Sequence, residues 1–321
     1  TMKTPHNLCY APYMGHAGAT SNRAERPCGI TDQPIVDPIM NDQPKIAAAH
    51  PAPVPFHEPG ELVIRNVNWA GMRALYRKEV RRFMKVQLQT IWAPAVTTLM
   101  FLVIFTIALG GANRQVLGVP FADFIAPGLM MMGMMNNAFA NSSFSLLAGK
   151  MQGTLIDYLM PPLSVGELLL ALVGAAVTRA VAVGLALWGA MALWPGVHVT
   201  PTHLWAVIWF GLMGASLTAF IGVMTSIWAE KFDHAAAITN FVIGPMTLLS
   251  GTFYSIDRLS PLFRAISHAN PFFYAISGFR YGFVAAADGN VLVGSVVLLA
   301  LNAGLAVLCY VLLRKGWKLK A

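Results

Sequence analysis

Long apolar runs constrain this chain more than any other feature of its sequence. Several of them approach or exceed the roughly 18–20 residues that an α-helix needs to cross the hydrocarbon core of a bilayer. Hydrophobic residues make up 56% of the 321 residues and charged residues only 11%, whereas about 25% of the residues in a soluble domain are charged. The sequence therefore excludes an ordinary soluble domain and predicts an all-α, polytopic membrane protein.

Glycine, proline and polar residues mark the ends of the apolar runs, as at Pro161-Pro162 and Glu230-Lys231. From these breaks we predict six transmembrane helices near 91–110, 123–147, 165–194, 203–228, 236–252 and 290–313. Together with the segments that join them, they form one transmembrane domain over 61–321.

The distribution of cations predicts the orientation of the chain. Seven Lys or Arg residues lie within 65–90 and four follow Leu313, and cytoplasmic segments carry such an excess. We expect both termini in the cytoplasm, with Arg114 and Asp288 outside. The net charge of +8 is explained by this clustering and by anionic lipid headgroups, so we expect membrane lipids and not nucleic acid as partners.

Residues 1–60 differ from the rest of the chain. They contain ten of its twenty prolines and show no sustained apolar periodicity. Such a segment cannot bury enough apolar surface to offset the entropy lost on ordering. We expect a disordered, proline-rich tail outside the transmembrane domain.

An amphipathic helix is predicted over 68–86, just before the first span. Apolar residues recur there at steps of three and four, and basic residues occupy the other faces. The apolar positions are Trp69, Met72, Tyr76, Val80 and Phe83. This pattern is typical of a helix lying in the headgroup plane, the alternative being a cytoplasmic extension of the first span.

The segment 253–283 is too polar to span a membrane and too apolar for a solvated loop. We predict two short helices that fold back into the outer half of the bilayer and are separated at Asn270-Pro271. An extracellular hairpin on the membrane surface is the alternative.

Polar residues within the spans are candidates for a translocation path. Arg179 is the one ionisable residue near the middle of a predicted span, and such a residue faces a partner or a wet cavity and not lipid. It could bind a substrate anion or make a structural hydrogen bond. Asn136 and Asn137 could line the same path or form hydrogen bonds between helices.

The sequence contains no motif for catalysis or for binding ATP. Gly149-Lys150 is followed by Met151, and Phe144 occupies the place of the first glycine of a phosphate-binding loop. No His-Glu-x-x-His run is present. We therefore expect no catalytic residue, no metal site and no cofactor in this chain.

The connection between the second and third spans is short and apolar. Leu155, Ile156, Leu159 and Met160 form one face of a predicted two-turn helix that ends before Pro161. Apolar surface exposed on a cytoplasmic segment indicates a protein partner.

At 153–164 the chain has the sequence Gly-Thr-Leu-Ile-Asp-Tyr-Leu-Met-Pro-Pro-Leu-Ser, which resembles the coupling helix of ABC-2 type transporter permeases. The run at 270–283 resembles that family's motif before its last span, and 249–254 resembles the preceding turn. The runs at 78–83 and 124–129 also fit. The resemblance covers about 68–320 and is strongest to the bacterial exporter-type permeases, whose members export drugs, lipo-oligosaccharides, polysaccharides or lipids.

This resemblance implies a half-transporter with six spans, an interface helix and a re-entrant segment at 253–283. Two copies would work with two separate ATPase subunits, which bind the ATP and Mg. It implies a coupling helix at 153–160, with ATPase-coupling residues Gly153, Thr154, Leu155, Ile156, Asp157 and Leu159. It also implies a re-entrant motif that includes Asn270, Pro271, Tyr274 and Arg280.

The function expected from these features is that of a permease subunit of an ATP-driven exporter in the bacterial inner membrane. It would move an amphipathic, lipid-linked or drug-like substrate out of the cytoplasm. A secondary transporter is one alternative and would need intramembrane carboxylates, but Asp123 and Glu167 lie only near span ends. An integral membrane enzyme and a scaffold without an ATPase partner are the others. The sequence does not specify the substrate, nor whether the second permease copy is identical.

Overall fold

The computed structural model describes residues 67–110, 115–194, 197, 200–256, 260–286 and 288–318. The described chain is almost entirely helical, which confirms the all-α class. Its strands are β1 (Gln115–Val116) and β2 (Val119–Pro120), which pair antiparallel. The predicted tail at 1–60 lies outside the described residues.

Eleven α-helices are present in the described ranges. In chain order they are α1 (Trp69–Met84), α2 (Ala93–Gly110), α3 (Phe121–Met151), α4 (Ile156–Leu159), α5 (Val165–Ala192), α6 (Leu204–Trp228), α7 (Phe232–Ile238), α8 (Gly244–Leu248), α9 (Pro261–Ala269), α10 (Pro271–Val284) and α11 (Val291–Lys315). One π-helical segment, Leu88–Trp92, leads into α2, and another, Thr239–Ile243, joins α7 to α8.

Four described helical segments are long and apolar enough to cross a membrane, and they coincide with four of the six predicted spans. These segments are Leu88–Ala108, Val165–Ala192, Leu204–Trp228 and Val291–Lys315. The second predicted span corresponds to α3, which is 31 residues long but contains several Asn and Ser residues. The fifth corresponds to the interrupted run from α7 to α8. The count of six spans therefore stays a prediction.

Helix α3 lies at the centre of the bundle and is buried along most of its length. It packs against α5, α6 and α10. Its approach to α6 is close at Gly222, where an added Cβ would lie 2.7 Å from the carbonyl oxygen of Phe139. In contrast, α2 and α11 are largely exposed, and their apolar outer faces are typical of helices at the lipid-facing periphery.

Helix α1 packs along α5 through polar contacts at its first two turns. The Asn68 backbone N–H donates to Glu167 Oε1 over 2.7 Å, and the hydroxyls of Tyr76 and Thr178 are 2.7 Å apart. Trp69, on the predicted apolar face, is 59% exposed, and the buried positions are Leu75, Glu79 and Phe83. The buried face therefore contains a carboxylate that the apolar periodicity does not reveal.

The segment before α11 consists of two helices, α9 and α10, separated at Asn270. The Asn270 side chain accepts a hydrogen bond from the Phe272 N–H at 3.0 Å, which caps α10. Its amide donates to the carbonyl of Met246 at 2.7 Å and to Ser250 Oγ at 3.0 Å. Pro271 occupies the first turn of α10, where a missing N–H costs nothing. The position of this pair relative to the bilayer stays a prediction.

Candidate functional site

The connection from α3 to α5 begins with a tight turn at Gly153. The Thr154 N–H bonds to the Gly149 carbonyl at 2.9 Å, and the Gly153 N–H bonds to the Lys150 carbonyl at 3.3 Å. This pair of bonds is the Schellman motif that ends many helices. It places Gly153 at φ +70°, a left-handed conformation that glycine adopts without strain. Gly153 therefore ends α3 and reverses the chain toward α4.

Tyr158 anchors this connection to the body of the protein. Its side chain is only 7% exposed, and its hydroxyl donates to Glu79 Oε1 at 3.0 Å. The ring lies beside Gly149, where an added Cβ would be 3.3 Å from it. The Lys78 Nζ atom lies 3.9 Å from the centre of the ring, within the range of a cation–π interaction.

Glu79 is fully buried and has several partners. Its Oε2 atom accepts from Ser145 Oγ at 2.8 Å and lies 2.9 Å from Arg82 Nη2. The same Arg82 nitrogen donates to the Asn141 carbonyl at 3.0 Å and to Ser145 Oγ at 2.8 Å. We call Glu79, Arg82, Asn141, Ser145 and Tyr158 the Glu79 cluster. It joins α1, the C-terminal part of α3 and α4 through hydrogen bonds to charged groups, which are stronger than neutral ones.

Tyr158 remains a hydrogen-bond donor throughout the physiological pH range. Burial, reinforced by the neighbouring Glu79 carboxylate, raises the pKa of the Tyr158 phenol well above its usual range. Sequence reasoning missed Glu79, Arg82 and Tyr158 as functional candidates. One signal was present: Glu79 is the only acidic residue within 65–90, and it lies three residues after Tyr76 on the packed face.

The residues predicted to contact an ATPase do not form one continuous face. Ile156 and Met160 are 62% and 77% exposed, and Gly153, Thr154 and Asp157 are also exposed. Leu155, however, is partly buried against the core. The helix itself is limited to α4, shorter than the predicted 153–160, and the side chain of Leu159 is outside the described set.

Two of the three predicted path residues contact each other. Arg179 Nη2 donates to Asn137 Oδ1 at 3.0 Å, and Asn137 Nδ2 donates to the Gly133 carbonyl at 3.0 Å. Asn136 is partly exposed and makes no side-chain hydrogen bond to the described part of the chain. The structure thus joins α5 to α3 at the Arg179–Asn137 pair.

Arg280 makes its contacts at the N-terminal end of α3, opposite the Glu79 cluster. Its guanidinium is fully buried and pairs with Asp288 over 2.7 Å. It also donates to the carbonyls of Gly251 at 2.7 Å and Phe124 at 3.1 Å. Tyr274 of the same motif donates to the His268 carbonyl at 2.9 Å and so ties α10 to α9. Arg280, Asn270 and Tyr274 therefore all have structural contacts that hold this end of the bundle together.

An apolar cavity of about 340 Å³ lies between α3, α5, α6 and α10. Its lining contains Met130, Met134, Trp188, Ile208, Phe279 and Phe283 among other apolar residues. Neither Arg179 nor Asn137 lines it.

Membrane-length helices, an apolar periphery and a polar central helix define a multi-pass, membrane-embedded protein. The model of the ABC-2 type transporter family matches residues 71–284. The chain belongs to the ABC-2 type transporter family and is a membrane transport permease of that family.

Named relatives agree with this assignment. The chain is 30% identical over 254 residues to the inner membrane transport permease YadH of Escherichia coli strain K12, covering 79% of this chain and 98% of YadH. It is 25% identical over 201 residues to nodulation protein J of Rhizobium leguminosarum bv. trifolii, covering 62% of this chain and 74% of that protein.

Proposed function

We propose that the chain is the permease subunit of an ATP-driven exporter in the bacterial inner membrane. Two copies work with two separate ATPase subunits, which bind ATP and Mg, and both termini face the cytoplasm. The substrate is amphipathic, lipid-linked or drug-like and leaves the cytoplasm. Membership of the ABC-2 family and the similarity to the inner membrane transport permease YadH support this proposal.

The observation that carries the proposal is the way the α3–α5 connection is fixed. Ile156 and Met160 present apolar side chains to solvent, while Tyr158 on the same short segment bonds to buried Glu79. A partner that contacts the exposed side chains would therefore move α4 together with α1 and α3. Closure of two ATPase subunits would in this way change the packing of the central helix and switch access to the translocation path.

A secondary transporter fits the acidic residues less well. Glu167 accepts from the backbone N–H groups of Ser164 and Asn68 at the starts of α5 and α1. Asp288 pairs with Arg280. Carboxylates with such fixed structural partners are poorly suited to bind and release a coupling ion.

The test co-expresses tagged permease with the proposed ABC ATPase subunit, which is to be sought first in the reading frames adjacent to this one. Ile156→Asp and Met160→Asp should each lower ATPase recovery at least tenfold at matched permease expression. A carboxylate that enters an apolar contact without a partner is expected to cost several kcal/mol. Gln152→Ala, a change at an exposed neighbouring side chain, is the matched control and should recover the ATPase normally.

Leu155 is unsuitable for this test because its partly buried side chain would confound folding with docking. Normal ATPase recovery with both Asp variants would show that α4 is not the coupling surface. Equal losses of permease yield and ATPase recovery would show instead that α4 serves only to stabilise the permease.

A further inference from the structure

A polar stripe runs along the inner half of α3. Asn137, Asn141 and Ser145 are spaced four residues apart, which places them on one face of the helix. Two arginines reach this stripe from different helices. Arg179 of α5 bonds to Asn137, and Arg82 of α1 bonds to Asn141 and Ser145.

The charges along the stripe do not balance. Glu79 pairs with Arg82 at 2.9 Å, but within the described ranges Arg179 has no acidic partner. The stripe therefore has one guanidinium more than it has carboxylates.

Two buried donors on the stripe have no acceptor. Arg179 Nε and Asn141 Nδ2 are both inaccessible and make no hydrogen bond to the described part of the protein. Buried polar atoms in native proteins almost always have a partner, and an orphaned atom calls for an explanation. Both orphaned atoms are donors, so each needs an acceptor oxygen, and the excess guanidinium charge favours an anion over water as the source of those oxygens.

The depth of the stripe indicates where such an anion comes from. At a rise of 1.5 Å per residue, Asn141 lies about 30 Å along α3 from Phe121, close to the thickness of the hydrocarbon core. In the proposed orientation, with Phe121 at the outer boundary, Asn141 is at the level of the inner headgroups. The Arg82 side chain is 33% exposed, so a molecule at the level of the inner headgroups can approach the stripe at Arg82.

We propose that Arg179, Arg82 and Asn141 form an oxyanion site between α1, α3 and α5, which binds the phosphate or carboxylate of an amphipathic molecule from the inner leaflet. The assignment of that molecule as the transported substrate rests on the proposed function, whereas the binding itself does not. A free inorganic anion shares the same chemistry, and the experiment separates the two sources.

The experiment measures thermal stabilisation of the purified full-length permease in a neutral detergent, without any ATPase. The probes are a short-chain phosphatidylglycerol, a phosphatidylcholine with the same chains, and inorganic phosphate. Phosphatidylglycerol should raise the melting temperature more than phosphatidylcholine, whose choline cation offsets the charge of its phosphate. Stabilisation by phosphate as well would identify a site for free anions, and stabilisation by phosphatidylglycerol alone would identify a lipid-borne one.

Arg179→Gln should weaken the apparent affinity for phosphatidylglycerol at least tenfold, and Arg179→Lys should weaken it less because a cation remains. Arg73→Gln is the matched control, since Arg73 is an exposed cation of α1 that contributes only to general attraction for anionic lipid. The Arg73→Gln permease should bind phosphatidylglycerol with nearly the same affinity as the unmodified protein.

A second variant keeps the test valid if Arg179→Gln does not fold. Asn141→Asp supplies a carboxylate in place of the orphaned donor, so it should raise the basal melting temperature and abolish the shift caused by phosphatidylglycerol. Unchanged affinity in Arg179→Gln, an undiminished shift in Asn141→Asp, or equal stabilisation by both lipids would overturn the proposal. None of these outcomes depends on ATPase coupling, so failure of the proposed function would be recognised separately.

Discussion

The buried ionic residues of this protein differ in how their charges are balanced. Glu79 has Arg82, Ser145 and Tyr158 as partners. Arg280 has Asp288 and two backbone carbonyls. The first set holds the C-terminal end of α3 and the second holds its N-terminal end, so the stability of each end can be tested separately.

At the C-terminal end of α3, Tyr158→Phe removes one hydrogen bond from a buried carboxylate and leaves the ring in place. We expect the free energy of unfolding of the purified permease to fall by about 1.5–3 kcal/mol, the range for hydrogen bonds to charged groups. Denaturant unfolding measures this change. Tyr310→Phe, at a side chain that is 39% exposed, should have little effect, and equal stability of the two variants would rule out the anchoring role of Tyr158.

At the N-terminal end of α3, Arg280→Met leaves the Asp288 carboxylate buried without its cation. Breaking one partner of a buried ion pair typically costs about 3–5 kcal/mol. The double variant Arg280→Met/Asp288→Asn should recover part of this loss because the uncompensated charge is gone. If the double variant is no more stable than the single one in denaturant unfolding, charge burial is not the cause of the loss.

At the scale of elements, α3 connects every part of the candidate site. Its first turn contacts Arg280 through Phe124, its middle contacts Arg179 through Asn137, and its last turns contact Glu79 through Ser145. Beyond these, Lys150 donates to the carbonyls of Ile227 and Ala229 at the end of α6, where a cation is favoured by the helix dipole. Displacement of α3 would therefore change contacts at both ends of the bundle.

The turn that ends α3 should be sensitive to its glycine. Gly153→Ala places a Cβ at φ +70°, a conformation that costs a non-glycine residue about 1–2 kcal/mol. Relaxation of this strain should tilt α4 and lower ATPase co-purification several-fold without changing membrane insertion. Gln152→Ala, one residue earlier in a right-handed conformation, is the control. Identical ATPase recovery by both variants would show that the turn geometry does not matter for coupling.

Sequence reasoning located the features that hydropathy determines and missed those that depend on distant contacts. Helices α5, α6 and α11 are predominantly apolar, so their approximate ends follow from composition and breakers. The break at Asn270 follows from the capping preference of Asn and from Pro271. The pairing of Glu79 with Tyr158 joins residues 79 positions apart, and no local pattern specifies it. The interruption at Thr239–Ile243 was equally invisible, because a π-helical segment has no simple sequence signature.

For the whole molecule, the number of spans decides which side of the membrane each connection occupies. Four helical segments are long and apolar enough to cross a membrane, and the six-span arrangement adds α3 and the run from α7 to α8. With α1 in the cytoplasm, the four-span and six-span arrangements both place Asn290 outside and Lys315 inside. They disagree about the α3–α5 connection and about the segment before α6, so these two places separate the alternatives.

Cysteine labelling of a variant without Cys9, Cys28 and Cys309 makes this distinction. With six spans, an impermeant thiol reagent added outside should label Thr200→Cys but not Thr154→Cys, and with four spans the result should be reversed. Both positions are exposed, so accessibility is limited only by the membrane. Asn290→Cys is the positive control, since it is also exposed, whereas Asp288 is unsuitable because its side chain is buried against Arg280. Labelling of Thr154→Cys in intact cells would place α4 outside, beyond the reach of a cytoplasmic ATPase, and would refute the coupling mechanism along with the six-span arrangement.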